Sequence, residues 1–272
     1  MMRGYFHFKL FLRDLTYSHS YGKYKYFIFY CIVIILTAAE TLPLKELNGN
    51  SVDVFFLLLK DVGYFIQSSG YEIPVNWIFI QFFILFLITD FLVHDAETNS
   101  SYLILRIKRR EQYILSKLIW IVIQNILVYF GLFIVIYVIS SLLLGDFSLE
   151  ASSYFQDTIQ SQAAISINPI QLILHLFFGY VLTSIVLSGI FLLCTQFFAS
   201  TVSFCFVLIL GSLSIFIDWK WLPAIHSMIL KSILFDLEHH LSLTFSFVYS
   251  VFVYILSAFF IFIVYRKTDI LK

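Results

Sequence analysis

Between Lys117 and Asp146 the chain reads LIWIVIQNILVYFGLFIVIYVISSLLLG, with no charged residue at all. A helix needs roughly 20 apolar residues to cross the ~30 Å hydrocarbon core of a bilayer, and this run is long enough. Similar runs elsewhere give six expected spans in all, at 24–41, 77–93, 118–144, 169–198, 202–217 and 244–265. Glu40 at the outer end makes the first of these the weakest, and FFAST between the fourth and fifth leaves room only for a tight hairpin. In lipid every backbone polar group needs an internal partner, so the spans are expected to be helices. The expected fold is all-α, a polytopic membrane protein. With 60% hydrophobic and 12% charged residues, including 32 Phe, it is not expected as a soluble domain.

No repeat, low-complexity segment or Gly/Ser linker divides residues 1–272, so one transmembrane domain is expected. The apolar run at 24–41 follows a mixed stretch and lacks a small-residue cleavage site, so it does not read as a secretory signal. Cys31, Cys194 and Cys205 all lie in apolar stretches, which argues against disulfides or a metal framework.

The net charge of zero says little, but its distribution sets an orientation. Of the 17 Lys and Arg residues, thirteen precede span one or sit at its very start, lie between spans two and three, or follow span six. Only Lys45, Lys60, Lys220 and Lys231 fall on the other side, among acids such as Asp53, Glu72, Asp146, Glu150 and Asp157. Positive residues stay inside, so both termini and the loop between spans two and three are expected in the cytoplasm. Trp77, Trp120, Trp219, Trp221, Tyr24, Tyr26 and Tyr265 fall at span ends, where aromatic belts form.

Two cytoplasmic segments carry more than charge. Over residues 1–23, Tyr5, Phe8, Phe11, Leu12 and Leu15 share one helical face, and Arg3, Lys9, Arg13 and Asp14 the other. That pattern predicts an amphipathic helix in the membrane interface, serving as an anchor or as an elbow that helps dock a partner. Over 94–117, Ser100 or Ser101 can cap a short helix with Tyr102, Leu103, Ile104 and Ile107 on its apolar side. A cluster of Arg106, Lys108, Arg109 and Arg110 follows, and then Lys117 opens span three. Cytoplasmic loops are commonly basic and meet anionic lipid heads, but that alone does not explain the apolar residues beside the charges.

Asp90 is the one acid well inside an apolar run, and TDFLVHD places His94 one turn from it. Two ligands do not make a metal site or a proton relay, and pairing of Asp90 with Lys117 or with an arginine of the loop is the simpler expectation. Gln81, Gln124 and Asn125 read as interhelical hydrogen bonds, and His175 as similar. His239 and His240 are too few for a metal. The chain has no G-x-x-x-x-G-K-[ST] phosphate loop, no H-E-x-x-H and no G-x-S-x-G, so it is not expected to be an enzyme.

The amphipathic N-terminus, six spans, the loop YLILRIKRREQYILSKLIW and the segment DWKWLPAIHSMILKSILFDLEHH before span six together resemble the permease subunits of type-2 ABC exporters. The resemblance implies that the loop is a coupling helix seated in a groove of a separate ATPase subunit. Tyr102, Leu103, Ile104 and Ile107 would enter that groove, and Arg106 and Arg109 would meet acidic residues at its rim or lipid phosphates. It implies a second permease copy or paralogue, ATP and Mg held by the partner rather than by this chain, and a bacterial or archaeal plasma membrane. Residues 218–243 would be external, with 223–235 dipping into the outer leaflet. Membrane lipids are expected contacts and nucleic acid is not. The cargo class would be an amphipathic peptide, a lipid or a drug. The alternative is an ion- or proton-coupled carrier using Asp90 and His94, against which stands the lack of glycine- and proline-broken spans. An intramembrane enzyme is disfavoured, because no catalytic cluster converges at one depth.

Overall fold

A computed structural model describes residues 8–64, 73–99, 103, 110–238 and 240–267. Its elements are α1 (Phe8–Glu46), α2 (Ser51–Leu59), α3 (Val75–Thr98), α4 (Arg110–Leu144), α5 (Pro169–Cys194), α6 (Ser200–Phe216) and α7 (Leu243–Lys267). A π-helical turn at Phe155–Ile159, continued by Gln160–Gln162, precedes α5, and two 3-10 turns, Pro223–Ser227 and Ile229–Lys231, precede α7. Among the described residues there is no strand. Five helices, α1, α3, α4, α5 and α7, are long and apolar enough to cross a membrane. The fifth expected span is α6, whose 17 residues extend about 26 Å at 1.5 Å per residue.

α1 is a single helix of 39 residues. No proline interrupts it before Pro43, and Gly22 tucks under Tyr26, so nothing breaks the chain between the expected interfacial helix and the expected first span. The two segments are one element. Its first turns cover residues of both faces. Asp14 is wholly buried, while Phe8 and Leu12, read as part of one apolar face with Phe11, are 59% and 42% exposed. In water the apolar face turns inward; where the surroundings are lipid, the polar groups need the protein's interior to find partners.

α1 and α4 run side by side in the same direction: Asp14 meets Ser116, Ser18 meets Trp120, and Tyr30 meets Val128. α5 is the central helix, buried through Gly179, Tyr180 and the residues to Gly189. Asn168 caps it by accepting a bond from the Ile170 N–H, and Pro169 sits where a missing N–H costs nothing. α7 lies at the edge and turns Phe252, Ile255 and Phe259 outward.

The far end of the bundle, away from the N-terminus, is closed by segments outside the expected spans. α2 is capped by Asn50, whose side chain accepts from Val52 N–H while Asp53 accepts from Asn50 N–H. It is buried along nearly its whole length. The segment Pro223–Lys231, part of the 223–235 stretch expected at the outer leaflet, is buried against protein along most of its length. Thr183 of α5 donates to Pro223 O, Trp77 of α3 donates to Ser227 Oγ, and Lys231 donates to Ser214 O of α6. Gly179 lets this turn approach, since a Cβ there would lie 2.7 Å from His226 O. Thr183 thereby satisfies a carbonyl of this non-helical backbone, a partner that lipid could not supply.

Candidate functional site: a buried ion cluster at the root of the basic loop

Four charged side chains from three helices meet at the N-terminal end of the bundle. Lys117 of α4 lies 3.0 Å from Asp14 of α1 and 2.6 Å from Asp95 of α3. Arg13 of α1 reaches Asp95 at 2.6 Å and Asp14 at 3.7 Å. Asp14 and Asp95 are wholly buried, Lys117 nearly so, and Arg13 partly open. Two cations balance two carboxylates. Further donors complete the shell: Ser116 Oγ to Asp14, Tyr113 Oη to Asp95, and Asn99 Nδ2 to Asp95. The lysine approaches its carboxylates closely but off the hydrogen-bond directions, so these are ion pairs rather than aligned bonds. Its ammonium also lies 5.2 Å from the ring centroids of Phe91 and Tyr113.

The local sequence explains why the cluster forms. Arg13, Tyr17, Tyr21 and Lys25 recur every four residues and so share one face of α1. Each faces α3. Arg13 meets Asp95, Tyr17 Oη bonds His94 Nε2 at 2.9 Å, and Tyr21 stacks on His94 with centroids 4.0 Å apart. Lys25 pairs with Asp90 at 2.5 Å. This polar and aromatic seam fixes α1 against α3 over three helical turns.

Asp90 therefore pairs with Lys25, whereas Lys117 is held by Asp14 and Asp95. His94 lies between Tyr17 and Tyr21, with Nε2 hydrogen-bonded to Tyr17 Oη. Gln124 Nε2 donates to Tyr26 Oη and Tyr129 donates to Gln81, both between helices, whereas Asn125 bonds the Ile121 carbonyl of its own helix. His175 is buried near the start of α5, apart from the cluster. Leu103 is helical in backbone, with its N–H bonded to Asn99 O, and packs partly against this chain's own core. Tyr102, Ile104, Arg106, Ile107 and Arg109 lie outside the described residues.

Sequence reasoning placed Asp14 on the polar face of its helix without a partner and did not single out Asp95. The signal for Asp95 is the four-residue stripe on α1, which needs an acid opposite it.

Beside the cluster, between α3, α4, α5 and α7, lies a cavity of about 310 Å3. Leu92, Ile114, Phe191 and Tyr265 line it, with Lys117 and Tyr113 as its contact with the ion cluster. Among the described residues, no group of three or more His, Cys, Asp and Glu is placed to hold a metal ion. Comparison with protein-family models, with curated proteins and with solved structures gives no match.

Proposed function

We propose that this chain is the membrane-spanning subunit of an ATP-driven exporter, forming half of a translocation pathway and driven by a separate ATPase subunit. The observation that carries the reading is the ion cluster at the root of the basic loop. Asp95 stands one turn before the loop leaves α3, and Lys117 two turns after it enters α4. Both are held to Asp14 of α1 or to Arg13 beside it. Breaking one partner out of a desolvated ion cluster costs about 3–5 kcal/mol. A load on the loop would thus move the ends of three helices together, which is what a coupling element requires.

In this reading α6 is the sixth span, and the basic residues place both termini in the cytoplasm of a bacterial or archaeal cell. The first turns of α1 lie in the interface. A second copy or a paralogue supplies the other half of the pathway, and the partner ATPase brings ATP and Mg. The apolar cavity beside Lys117 suits an amphipathic peptide, a lipid or a drug as cargo. The carrier alternative finds less support, because Asp90 is neutralised by Lys25 and His94 is engaged by Tyr17.

The test is to purify the tagged chain from its own host and ask whether a phosphate-loop ATPase comes with it and hydrolyses ATP. Ile107→Asp, which puts a carboxylate on the apolar side of the loop, is expected to abolish that association and transport while insertion persists. Transport by the chain without any ATPase, driven by an ion gradient, would sink the exporter reading.

A further inference from the structure

On the outer side of the α1–α4 pair runs an open groove of about 510 Å3, lined by Leu15, Thr16, His19, Tyr26, Gln124 and Leu127, with Tyr30 and Val128 at its floor. We infer that it is a binding site for one anionic phospholipid of the leaflet nearer the N-terminus. This inference does not depend on what the chain transports.

The position commits the groove to lipid. Phe27, Leu127 and Phe130 stand exposed around it on two helices apolar enough to span a membrane, so acyl chains are its surroundings. Along α1 it extends from Leu15 to Tyr30, about 22 Å at 1.5 Å per residue, which suits an acyl chain with its headgroup at one end. The walls are fixed rather than filled by chance. Tyr26 lies back on Gly22, where a Cβ would be 2.7 Å from the ring, and Tyr30 lies across Gly131 with its hydroxyl donating to Val128 O. Small residues on both helices thus hold two tyrosines flat and leave the trough open.

The polar groups are graded along the groove. Thr16 and His19 stand exposed at the N-terminal end, and Lys23, one turn beyond His19 and just outside the lining, is exposed on a flexible stem with its ammonium 4.9 Å from the Tyr24 ring. The nearest carboxylate of α1, Asp14, is buried and already paired with Lys117. An exposed cation with no exposed acid on this stretch of α1 favours a phosphate. One turn deeper, Gln124 Nε2 donates to Tyr26 Oη at 2.8 Å, so the tyrosine's own O–H stays available as a donor. That donor lies where an ester carbonyl would follow the phosphate into the bilayer. Headgroup, ester and chain each meet a matching group in the right order.

The experiment titrates the full chain, purified in detergent, with phosphatidylglycerol or phosphatidylcholine of the same acyl composition and counts retained lipids by native mass spectrometry. Phosphatidylglycerol is expected to bind about fivefold more tightly, the effect of one surface lysine, and Lys23→Gln is expected to abolish the difference. Leu127→Trp, which fills the trough, is expected to remove both lipids. Thr16→Trp on the exposed α1 wall is the second filling variant should Leu127→Trp melt early. Equal binding of the two lipids would overturn the headgroup assignment. Retention of phosphatidylglycerol in a folded filling variant would overturn the groove itself.

Discussion

Lys117 illustrates how a buried charge restricts a fold without adding much to its stability. Taking the ammonium and two carboxylates out of water costs several kcal/mol per ion, and their attraction offsets this only while all partners stay in place. Lys117→Met should therefore destabilise the chain by about 3–5 kcal/mol, because it leaves Asp14 and Asp95 facing Arg13 alone. The fourfold change Arg13→Met, Asp14→Leu, Asp95→Leu, Lys117→Met removes every charge of the cluster, and the burden along with the bonds. It should melt well above the single variant in detergent, and a lower melting temperature would show that packing rather than charge balance governs the site. His226 supplies a second residue-scale test. It is buried against Tyr249, with Nδ1 bonded to Ser246 Oγ and Nε2 unpartnered, and burial pushes its pKa down to about 3. The unfolded chain takes up this proton near pH 6.5 and the folded chain only near pH 3, so stability is full above 6.5 and falls as the pH drops towards 3. Between pH 7 and pH 5 the loss is about 2 kcal/mol. Burial raises the pKa of Asp61 in the same layer, so its contribution runs the other way, with stability rising as the pH falls. The His226 share is therefore read as the difference between the parent and His226→Asn. Parallel pH profiles for the two would mean that the imidazole is not buried neutral.

Among the elements, the long apolar helices were legible from hydropathy, while the pieces that close the bundle were not. α2 reads VFFLLL between polar residues, too short for a span, and nothing in its sequence says what buries it. The segment Pro223–Lys231 likewise shows its apolar content but not its place, because that depends on Gly179, more than forty residues away. A glycine in a helix costs about 1 kcal/mol relative to alanine, so its use at a central position of α5 implies a close neighbour. Here the neighbour is a backbone carbonyl, which cannot rotate away. Gly179→Ala is thus expected to lower the melting temperature despite alanine's better helix propensity, and to increase protease cleavage between Trp219 and His240. A rise in stability would mean that the turn does not lie against α5 as described. In the first turns of α1 periodicity separates two faces but does not say which residues the protein covers: Phe11 and Asp14 are buried, while Phe8, Lys9 and Leu12 stand exposed.

At the scale of the molecule, α6 decides how the chain is threaded. α5 ends at the N-terminal end of the bundle, where Gln196 and Lys117 line one cavity. α7 starts at the other end, where Ser246 meets His226, and returns until Arg266 pairs with Glu111 at the start of α4. α6 must then carry the chain from one end to the other in 17 residues. The hydropathy of 202–217 had marked this segment as a span, yet about 26 Å falls short of a ~30 Å core. A short span is accommodated by local thinning of the bilayer, at fractions of a kcal/mol per Å. In the proposed reading the basic residues set the direction. Arg13, Lys25 and Lys117 are all committed to ion pairs, but acids contribute little to orientation, so their weight in the positive-inside rule stands. With Cys31, Cys194 and Cys205 replaced by alanine, single cysteines at Ser153, Lys220 and Ser20 test both claims, each at an exposed position. A membrane-impermeant maleimide applied to intact cells should label Ser153→Cys and Lys220→Cys, and should reach Ser20→Cys only after permeabilisation. The reverse pattern would invert the orientation. Labelling at Ser153 with protection at Lys220 would mean that α6 does not cross, leaving five spans, the termini on opposite sides and no single face from which both could meet an ATPase.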